Sequence, residues 1–207
     1  MHSQDSVIKI YDRWGKIYDI IFKWVFSEGK NAAVEMLDLK PGERLLEVGI
    51  GTGLSLPLYP RSAGIVGIDI SSKMLEKATD KVTKHRLRNV KLQVMDARNM
   101  DFPDNSFDCV TACYVVSAVP DPDKVVSEIC RVCRTGGRIV FINHFKSRNL
   151  VLAKFEELTS GICKSFGWET TLDLDVLLKA NKLEPELTEK VNMFDYWRAV
   201  LCLNSKN

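Results

Sequence analysis

Short apolar runs alternate with amphipathic segments along most of this 207-residue chain. Aliphatic runs bounded by glycine, proline or polar clusters are typical of buried strands, whereas apolar positions at helical spacing predict helices. Alternation of the two predicts a parallel sheet with helices on both faces. The predicted strands cover 44–49, 64–69, 90–95, 107–113 and 137–143, and the predicted helices cover 5–38, 54–59, 72–86, 122–134, 148–160 and 173–181.

The end of the chain departs from this alternation. Two further predicted strands, over 184–194 and 197–204, follow each other without a helix between them. Strands joined in this way pair antiparallel. We therefore expect an α/β fold with a seven-stranded, mostly parallel sheet and an antiparallel hairpin at one edge. We divide the chain into an N-terminal helical cap over 1–38 and one α/β domain over 39–207.

The first predicted strand runs directly into a glycine-rich loop, Glu47-Val-Gly-Ile-Gly-Thr-Gly53. Glycines at alternate positions let the backbone turn sharply and let a ligand lie against bare main chain. The next strand ends at Asp69, 18 residues after Gly51. An acid at this position is suited to holding the hydroxyl groups of a ribose. The pairing of loop and acid predicts a nucleoside-binding βαβ unit.

The loop does not follow the dinucleotide-binding pattern. Counted from Gly49, G-x-G-x-x-G requires a glycine at 54, where the chain has Leu54. Glu47 is poorly placed for a phosphate but well placed for a cation. S-adenosylmethionine carries an ammonium and a sulfonium group and no phosphate. The pattern E-x-G-x-G-x-G resembles motif I of the class I S-adenosylmethionine-dependent methyltransferases, which implies their Rossmann-like fold.

Other candidate residues fall at the carboxyl ends of the predicted strands, where open α/β sheets bind ligands. The third strand ends at Asp96-Ala97, whose acid can accept from the exocyclic amine of adenine. Met74 has an apolar side chain suited to packing on a purine, or equally to filling the core. Tyr114 follows the fourth strand. Its aromatic face would attract sulfonium and ammonium cations, or it is a buried tyrosine bonded to backbone.

His144 follows the fifth predicted strand on the same rim. Methyl transfer to an amine requires a free lone pair on nitrogen, so a neutral histidine could take up the proton. A structural histidine bonded to the loop backbone is an equal alternative.

The N-terminal segment has an apolar face wider than a core-facing helix needs. Aromatic and aliphatic residues cover most of the helix between 10 and 26, and the narrow remainder, followed from 9 to 30, holds a few acids and five bases. Such an arc predicts contact with a core on one side and with a lipid surface, a lipid tail or a partner protein on the other. Gly15 could break this helix. The five bases are Lys9, Arg13, Lys16, Lys23 and Lys30.

Composition narrows the classes of partner. The chain has 45% hydrophobic and 27% charged residues, which is typical of soluble globular proteins, and its net charge of +2 does not indicate a nucleic-acid partner. Its six cysteines lack the paired spacing of a zinc site. We therefore expect reduced thiols, no metal, no signal peptide, no membrane span and a cytoplasmic protein.

Four stretches together resemble the bacterial phospholipid N-methyltransferases that act on phosphatidylethanolamine. They are 11–19, 46–57, 116–122 and 138–145. The resemblance implies methyl transfer from S-adenosyl-L-methionine to the amine of phosphatidylethanolamine and its mono- and dimethyl forms, toward phosphatidylcholine. S-adenosyl-L-homocysteine would be the by-product. It also implies a peripheral protein at the inner face of the membrane, bound to an anionic surface, and we expect a monomer.

The resemblance also assigns roles to individual residues. Tyr18 would close over the methionine end of the cofactor, next to the glycine loop. Asp69 would hold the ribose, and Asp96-Ala97 the adenine. The expected cofactor-binding residues are Tyr18, Glu47, Gly49, Gly51, Thr52, Gly53, Asp69, Ile70, Met74, Asp96 and Ala97, and the expected catalytic residues are His144, Tyr114 and Tyr18.

Two alternatives remain open at this point. The first is a quinone or other small-molecule C- or O-methyltransferase with the same cofactor site and a phenolic acceptor. The second is a membrane-associated binding protein with a degenerate site. The intact set of Glu47, Gly51, Asp69 and Asp96 argues against the second alternative.

Overall fold

A computed structural model describes residues 28–143, 174–191 and 197–206 of the chain. Tyr18, His144 and the predicted helix over 148–160 lie outside the described residues. The proposed boundary between a cap over 1–38 and the domain that follows therefore stays a prediction.

Within these described ranges, seven strands form one sheet in the order β3-β2-β1-β4-β5-β7-β6. Strands β1 to β5 run parallel, and β7 pairs antiparallel with both β5 and β6. The expected mostly parallel sheet with an antiparallel hairpin at one edge is confirmed. The strands are β1 (Arg44–Val48), β2 (Gly64–Asp69), β3 (Val90–Val94), β4 (Phe107–Cys113), β5 (Cys133–Asn143), β6 (Glu184–Val191) and β7 (Trp197–Leu203).

Helices cover both faces of this sheet. Helix α1 spans 28–37 within the described residues and packs, together with α2, on one face through residues such as Leu37 and Ala78. Helices α3 and α4 pack on the other face through Ile129 and Leu178. The central strands are buried on both sides, which explains why they are nearly continuous apolar runs. The bounds are α2 (Ser72–Lys84), α3 (Pro122–Val132) and α4 (Leu174–Ala180).

Two elements differ from their predicted extent. The segment 54–59 forms only a single 3-10 turn, Leu56–Leu58. Tyr59 adopts an extended conformation there (ψ of 143°), because the residue before a proline avoids the helical region. Strand β5 begins at Cys133 rather than at 137. Cys133 already pairs with Phe107, and a register shift follows before the regular ladder resumes.

Parallel pairing brings the carboxyl ends of β1 to β5 to one edge of the sheet. We call this edge the site edge. It holds the glycine loop after β1, Asp69 at the end of β2, Asp96 after β3 and Tyr114 after β4. The register pairs that align these ends are Val48 with Ile68, Val48 with Ala112, Asp69 with Val94, and Cys113 with Ile142.

Candidate cofactor and active site

The glycine loop turns through left-handed conformations, with φ of +66° at Gly49, +57° at Gly51 and +72° at Gly53. A Cβ on Gly49 would lie 2.3 Å from Val115 Cγ2, and one on Gly53 would lie 2.7 Å from Leu56 Cδ1. These two glycines are therefore required for packing. A Cβ on Gly51 would meet nothing within 4 Å. The bare main chain of Gly51 thus borders open space, where a ligand can lie against it.

Asp69 holds the loop in this shape. Its Oδ2 accepts from the Gly51 N–H at 2.8 Å, and its Oδ1 accepts from the Ser71 N–H at 2.9 Å. Burial raises the pKa of Asp69, and the backbone donors of Ser71, Gly51 and Ile70 oppose that rise. Each carboxylate oxygen has a further lone pair. The vicinal hydroxyls of a ribose are suitable donors for these lone pairs.

Glu47 lies beneath the loop with only 1% of its surface exposed. Its carboxylate accepts from Ser55 Oγ at 2.6 Å and from the Tyr59 hydroxyl at 2.9 Å, and Lys30 Nζ lies 3.9 Å from Oε1. Burial, and then the charge of Glu47, raises the pKa of Tyr59, so the phenol remains a donor. We call these four residues the Glu47 cluster. Glu47 can be recognised from the sequence, whereas its three partners cannot.

Asp96 follows β3 and forms a bidentate ion pair with Arg98. Its Oδ2 lies 2.8 Å from Arg98 Nη2, and its Oδ1 lies 3.1 Å from Nε and 2.9 Å from the Arg98 N–H. The hydrogen bond to Asp96 raises the pKa of the Arg98 guanidinium. Arg98 thereby fixes the orientation of the carboxylate. The assignment of Asp96 and the half-buried Ala97 to adenine stays a prediction.

Tyr114 begins the loop after β4 with a φ of +64°. A bulky side chain rarely adopts this conformation, so the surroundings must impose it. The Tyr114 N–H donates to the Ile142 carbonyl at 2.6 Å, and the next residue, Val115, packs on Gly49. The ring is half-buried and contacts the core on the α1 face of the sheet. No sequence pattern predicts the left-handed turn at Tyr114; only the structure shows it.

Asn143 connects the loop after β4 to the end of β5. Its side chain is buried, with Oδ1 accepting from the Val116 N–H at 3.1 Å and Nδ2 donating to Ser117 Oγ at 3.0 Å. The loop after β4 is therefore held both by Asn143 and by the contact of Val115 with the glycine loop. The predicted fifth strand ends at Asn143, but the sequence indicates no contact for its side chain.

The remaining expected cofactor residues also lie at the site edge. Thr52 is buried, and its carbonyl accepts from Lys81 Nζ at 2.8 Å. Ile70 is half-buried between β2 and α2. Met74 is buried in the first turn of α2, where its N–H donates to the N-cap residue Ser71 at 3.3 Å. Their contacts with a cofactor stay predictions.

Two of the three expected catalytic residues, Tyr18 and His144, lie outside the described residues. Within the described ranges, no group of three or more histidine, cysteine, aspartate or glutamate side chains is arranged to hold a metal. The five cysteines of those ranges are free thiols. Burial raises the pKa of Cys113, which lies at the site edge, to about 11, so its thiol is protonated at neutral pH.

These side chains suit S-adenosylmethionine better than a nucleotide. Asp69 and Asp96 offer acceptors for a ribose and for an adenine amine, and Gly51 offers bare main chain between β1 and β2. A buried acid, Glu47, immediately precedes the loop, and its carboxylate offers no donor to a phosphate.

Comparison with known proteins identifies the family. Residues 46–141 match the family described as "Methyltransferase domain". A phosphatidylethanolamine N-methyltransferase from Cereibacter sphaeroides is 42% identical over 181 residues, which cover 87% of this chain and 88% of that protein. The chain is a class I S-adenosylmethionine-dependent methyltransferase.

A further relative and a solved structure extend the comparison. A ubiquinone/menaquinone biosynthesis C-methyltransferase from Teredinibacter turnerae is 34% identical over 163 residues, covering 76% of this chain and 66% of that protein. A solved structure, phospholethanolamine N-methyltransferase 2 from Haemonchus contortus with phosphomonomethylethanolamine and S-adenosylhomocysteine, matches with a TM-score of 0.76 at 19% identity. The match covers 100% of this chain and 61% of the Haemonchus contortus chain. At that identity the likeness shows the fold alone.

The open face of Gly51 predicts that Gly51→Ala in this methyltransferase weakens S-adenosylmethionine binding about tenfold or more, because the new methyl group occupies the ligand's space. The left-handed backbone should also lower the free energy of unfolding by about 1–2 kcal/mol. Titration calorimetry and chemical denaturation measure the two effects separately.

Gly42→Ala is a matched control for this prediction. Gly42 also has a left-handed φ, +84°, and open space around a Cβ, but it lies in the turn before β1. Gly42→Ala should lower the free energy of unfolding by the same amount as Gly51→Ala and leave the cofactor affinity unchanged. Equal losses of affinity in the two variants would contradict the assignment of Gly51 to the binding surface.

Proposed function

We propose that this methyltransferase transfers methyl groups from S-adenosylmethionine to the amine of phosphatidylethanolamine and of its mono- and dimethyl forms, toward phosphatidylcholine. The observation that carries the proposal is the 42% identity with a phosphatidylethanolamine N-methyltransferase across most of both chains. The C-methyltransferase relative is less similar, at 34%, and covers less of each chain. Quinone methylation is therefore the second candidate.

The proposed cofactor site combines residues that the structure describes with Tyr18, which lies outside the described residues. When bound, the cofactor supplies an electrophilic methyl group on a sulfonium sulfur. Asp69 holds the ribose while its own orientation is fixed by Gly51 and Ser71. The assignments of Asp96, Ala97 and Met74 to the adenine, and of Glu47, Gly49 and Tyr18 to the methionine end, belong to the same proposal. Thr52, Gly53 and Ile70 complete the lining of this site.

Tyr114 is proposed to line the place where the methyl group is transferred. The sulfonium is cationic before methyl transfer, and the acceptor amine gains positive charge during it. An aromatic face attracts both cations although it carries no formal charge itself. The backbone of Tyr114 is held by the bond to Ile142. A fixed aromatic face would keep the amine near its attack position, which lowers the barrier. His144 is proposed to take up the proton that the amine nitrogen must lose.

The N-terminal segment is proposed to contact the membrane. Lys30, near the start of α1, lies beside Glu47 at the site edge, while the Leu37 carbonyl, at its other end, accepts from Arg138 at 2.7 Å. The described part of α1 therefore begins near the site edge. The wide apolar arc over 10–26, flanked by lysines, suits an interfacial helix.

We propose on this basis a monomeric, cytoplasmic enzyme that binds peripherally to the inner face of the membrane through an anionic surface. Residues 1–38 would be the cap and 39–207 the methyltransferase domain. Within the ranges that the structure describes, no helix has the length and apolarity to cross a bilayer.

A competition assay tests the acceptor. The enzyme is incubated with labelled S-adenosylmethionine, vesicles of mixed phospholipids and a demethylated quinone, and the products are read by mass. We expect ethanolamine lipids that have gained one or more methyl groups. A methylated quinone with no methylated lipid would reject the phospholipid acceptor and favour the alternative.

Variants of Tyr114 test the role of its ring. Tyr114→Leu removes the aromatic face and should lower kcat/KM for lipid methylation about 5–30-fold, corresponding to about 1–2 kcal/mol of cation attraction. Tyr114→Phe keeps the face and should retain most of the activity. Calorimetry with S-adenosylhomocysteine confirms that both variants are folded. A comparable loss in the two variants would assign the effect to the hydroxyl group instead.

Replacing two tryptophans tests the membrane contact. Trp14→Gln combined with Trp24→Gln should reduce sedimentation with anionic liposomes several-fold, because indole rings contribute much of the interfacial affinity. Cofactor affinity without lipid should not change. Val94→Gln is the control, since Val94 is 60% exposed on the edge strand β3. Undiminished sedimentation of the double variant would exclude the segment as the membrane contact.

A further inference from the structure

Lys30 is a largely covered cation at the site edge that the expected cofactor set did not include. Residues 30, 33 and 37 share one face of a helix, and both Ala33 and Leu37 are buried against the sheet. The Lys30 side chain lies on this face and is only 12% exposed. The sequence placed Lys30 on the polar strip of the N-terminal helix. The structure instead covers most of its side chain.

The ammonium of Lys30 has more donors than its recorded partner uses. Its Nζ lies 3.9 Å from Glu47 Oε1, an ion-pair distance that is too long for a hydrogen bond. The oxygens of Glu47 already accept from Ser55 and Tyr59. A lysine ammonium carries three N–H donors, and a buried charge is costly without acceptors. The position therefore suits an additional anionic acceptor.

Lys30 lies at the end of the candidate cofactor site that is farther from Asp96. Glu47 is the penultimate residue of β1, and Cys113 is the last residue of β4, its neighbour in the sheet. Burial raises the pKa of the Cys113 thiol, which also responds to the charges of Lys30 and Glu47. Lys30 thus lies near the carboxyl ends of β1 and β4. Asp96, proposed for the adenine, follows β3 on the far side of β2.

We propose that Lys30 binds the α-carboxylate of S-adenosylmethionine and of S-adenosylhomocysteine. The amino-acid end of the cofactor is a zwitterion, and the pair of Lys30 and Glu47 presents one charge of each sign beside the loop. The carboxylate supplies the acceptor that the ammonium lacks among the described residues. This inference concerns the cofactor and is independent of which acceptor receives the methyl group.

The competing explanation is that Lys30 only balances the buried charge of Glu47. Both explanations predict that removing the ammonium weakens the protein. They differ in the ligand, because only a direct contact depends on the carboxylate of the cofactor. Decarboxylated S-adenosylmethionine lacks this one group and keeps the sulfonium, ribose and adenine, so it separates the two.

The test combines protein variants with the two ligands in titration calorimetry of the full chain. Lys30→Met should weaken S-adenosylmethionine binding about 30-fold or more, as expected when one partner of a buried charge pair is removed. Its affinity for decarboxylated S-adenosylmethionine should change less than about threefold. Lys30→Arg keeps the charge and should retain most of the affinity for the complete cofactor.

A double variant removes the complication of an orphaned acid. Lys30→Met leaves Glu47 buried without its cation, so the double variant Lys30→Met with Glu47→Gln is compared with Glu47→Gln alone. Relative to that single variant it should show the same ligand-selective loss. Thermal unfolding confirms that each variant is folded. Equal losses for the two ligands, or an unchanged affinity for S-adenosylmethionine in Lys30→Met, would overturn the proposal. Equal affinity of the unmodified enzyme for both ligands would overturn it without any variant.

Discussion

The hydrogen bond from the Gly51 N–H to Asp69 is the constraint on which the candidate site depends. Parallel pairing ends β1 and β2 side by side, and the Ile50 N–H extends the ladder by donating to the Ile68 carbonyl at 3.0 Å. The next turn places the Gly51 N–H within 2.8 Å of the Asp69 carboxylate. A buried carboxylate without donors would be costly. The acid thus stabilises the loop and is itself fixed in orientation.

The three glycines of the loop serve three different purposes. Gly49 makes room for Val115, which brings the loop after β4 onto the loop after β1, and Gly53 makes room for Leu56 and Ala78. Only Gly51 borders open space. The close approach at Gly49 is matched on the β4 side by the left-handed turn of Tyr114 and by Asn143, which holds Val116 and Ser117. Two strand ends and their loops therefore form one rigid edge.

Features that are local in the sequence could be predicted from it. The alternation of apolar runs and amphipathic segments predicted a parallel sheet with helices on both faces. The glycine loop and Asp69 could be recognised because they form a pattern of closely spaced residues. The partners of the acids could not be predicted. Lys30 reaches Glu47 only because α1 packs antiparallel to β1, and Ser55 and Tyr59 reach it only because the segment after the loop folds back as a short 3-10 turn. Such contacts depend on how separate elements pack.

The acids at the site edge differ in how their charge is balanced. Asp96 is paired with Arg98, and Glu47 has Lys30 and two hydroxyl donors, whereas the recorded partners of Asp69 are neutral backbone N–H groups. Neutral donors leave the negative charge of Asp69 in place, and a carboxylate of this kind suits hydroxyl donors. A ligand that fits carries its charges at the end near Glu47 and is neutral at its ribose and adenine. S-adenosylmethionine has this distribution, and a dinucleotide, with its charge at the pyrophosphate, does not.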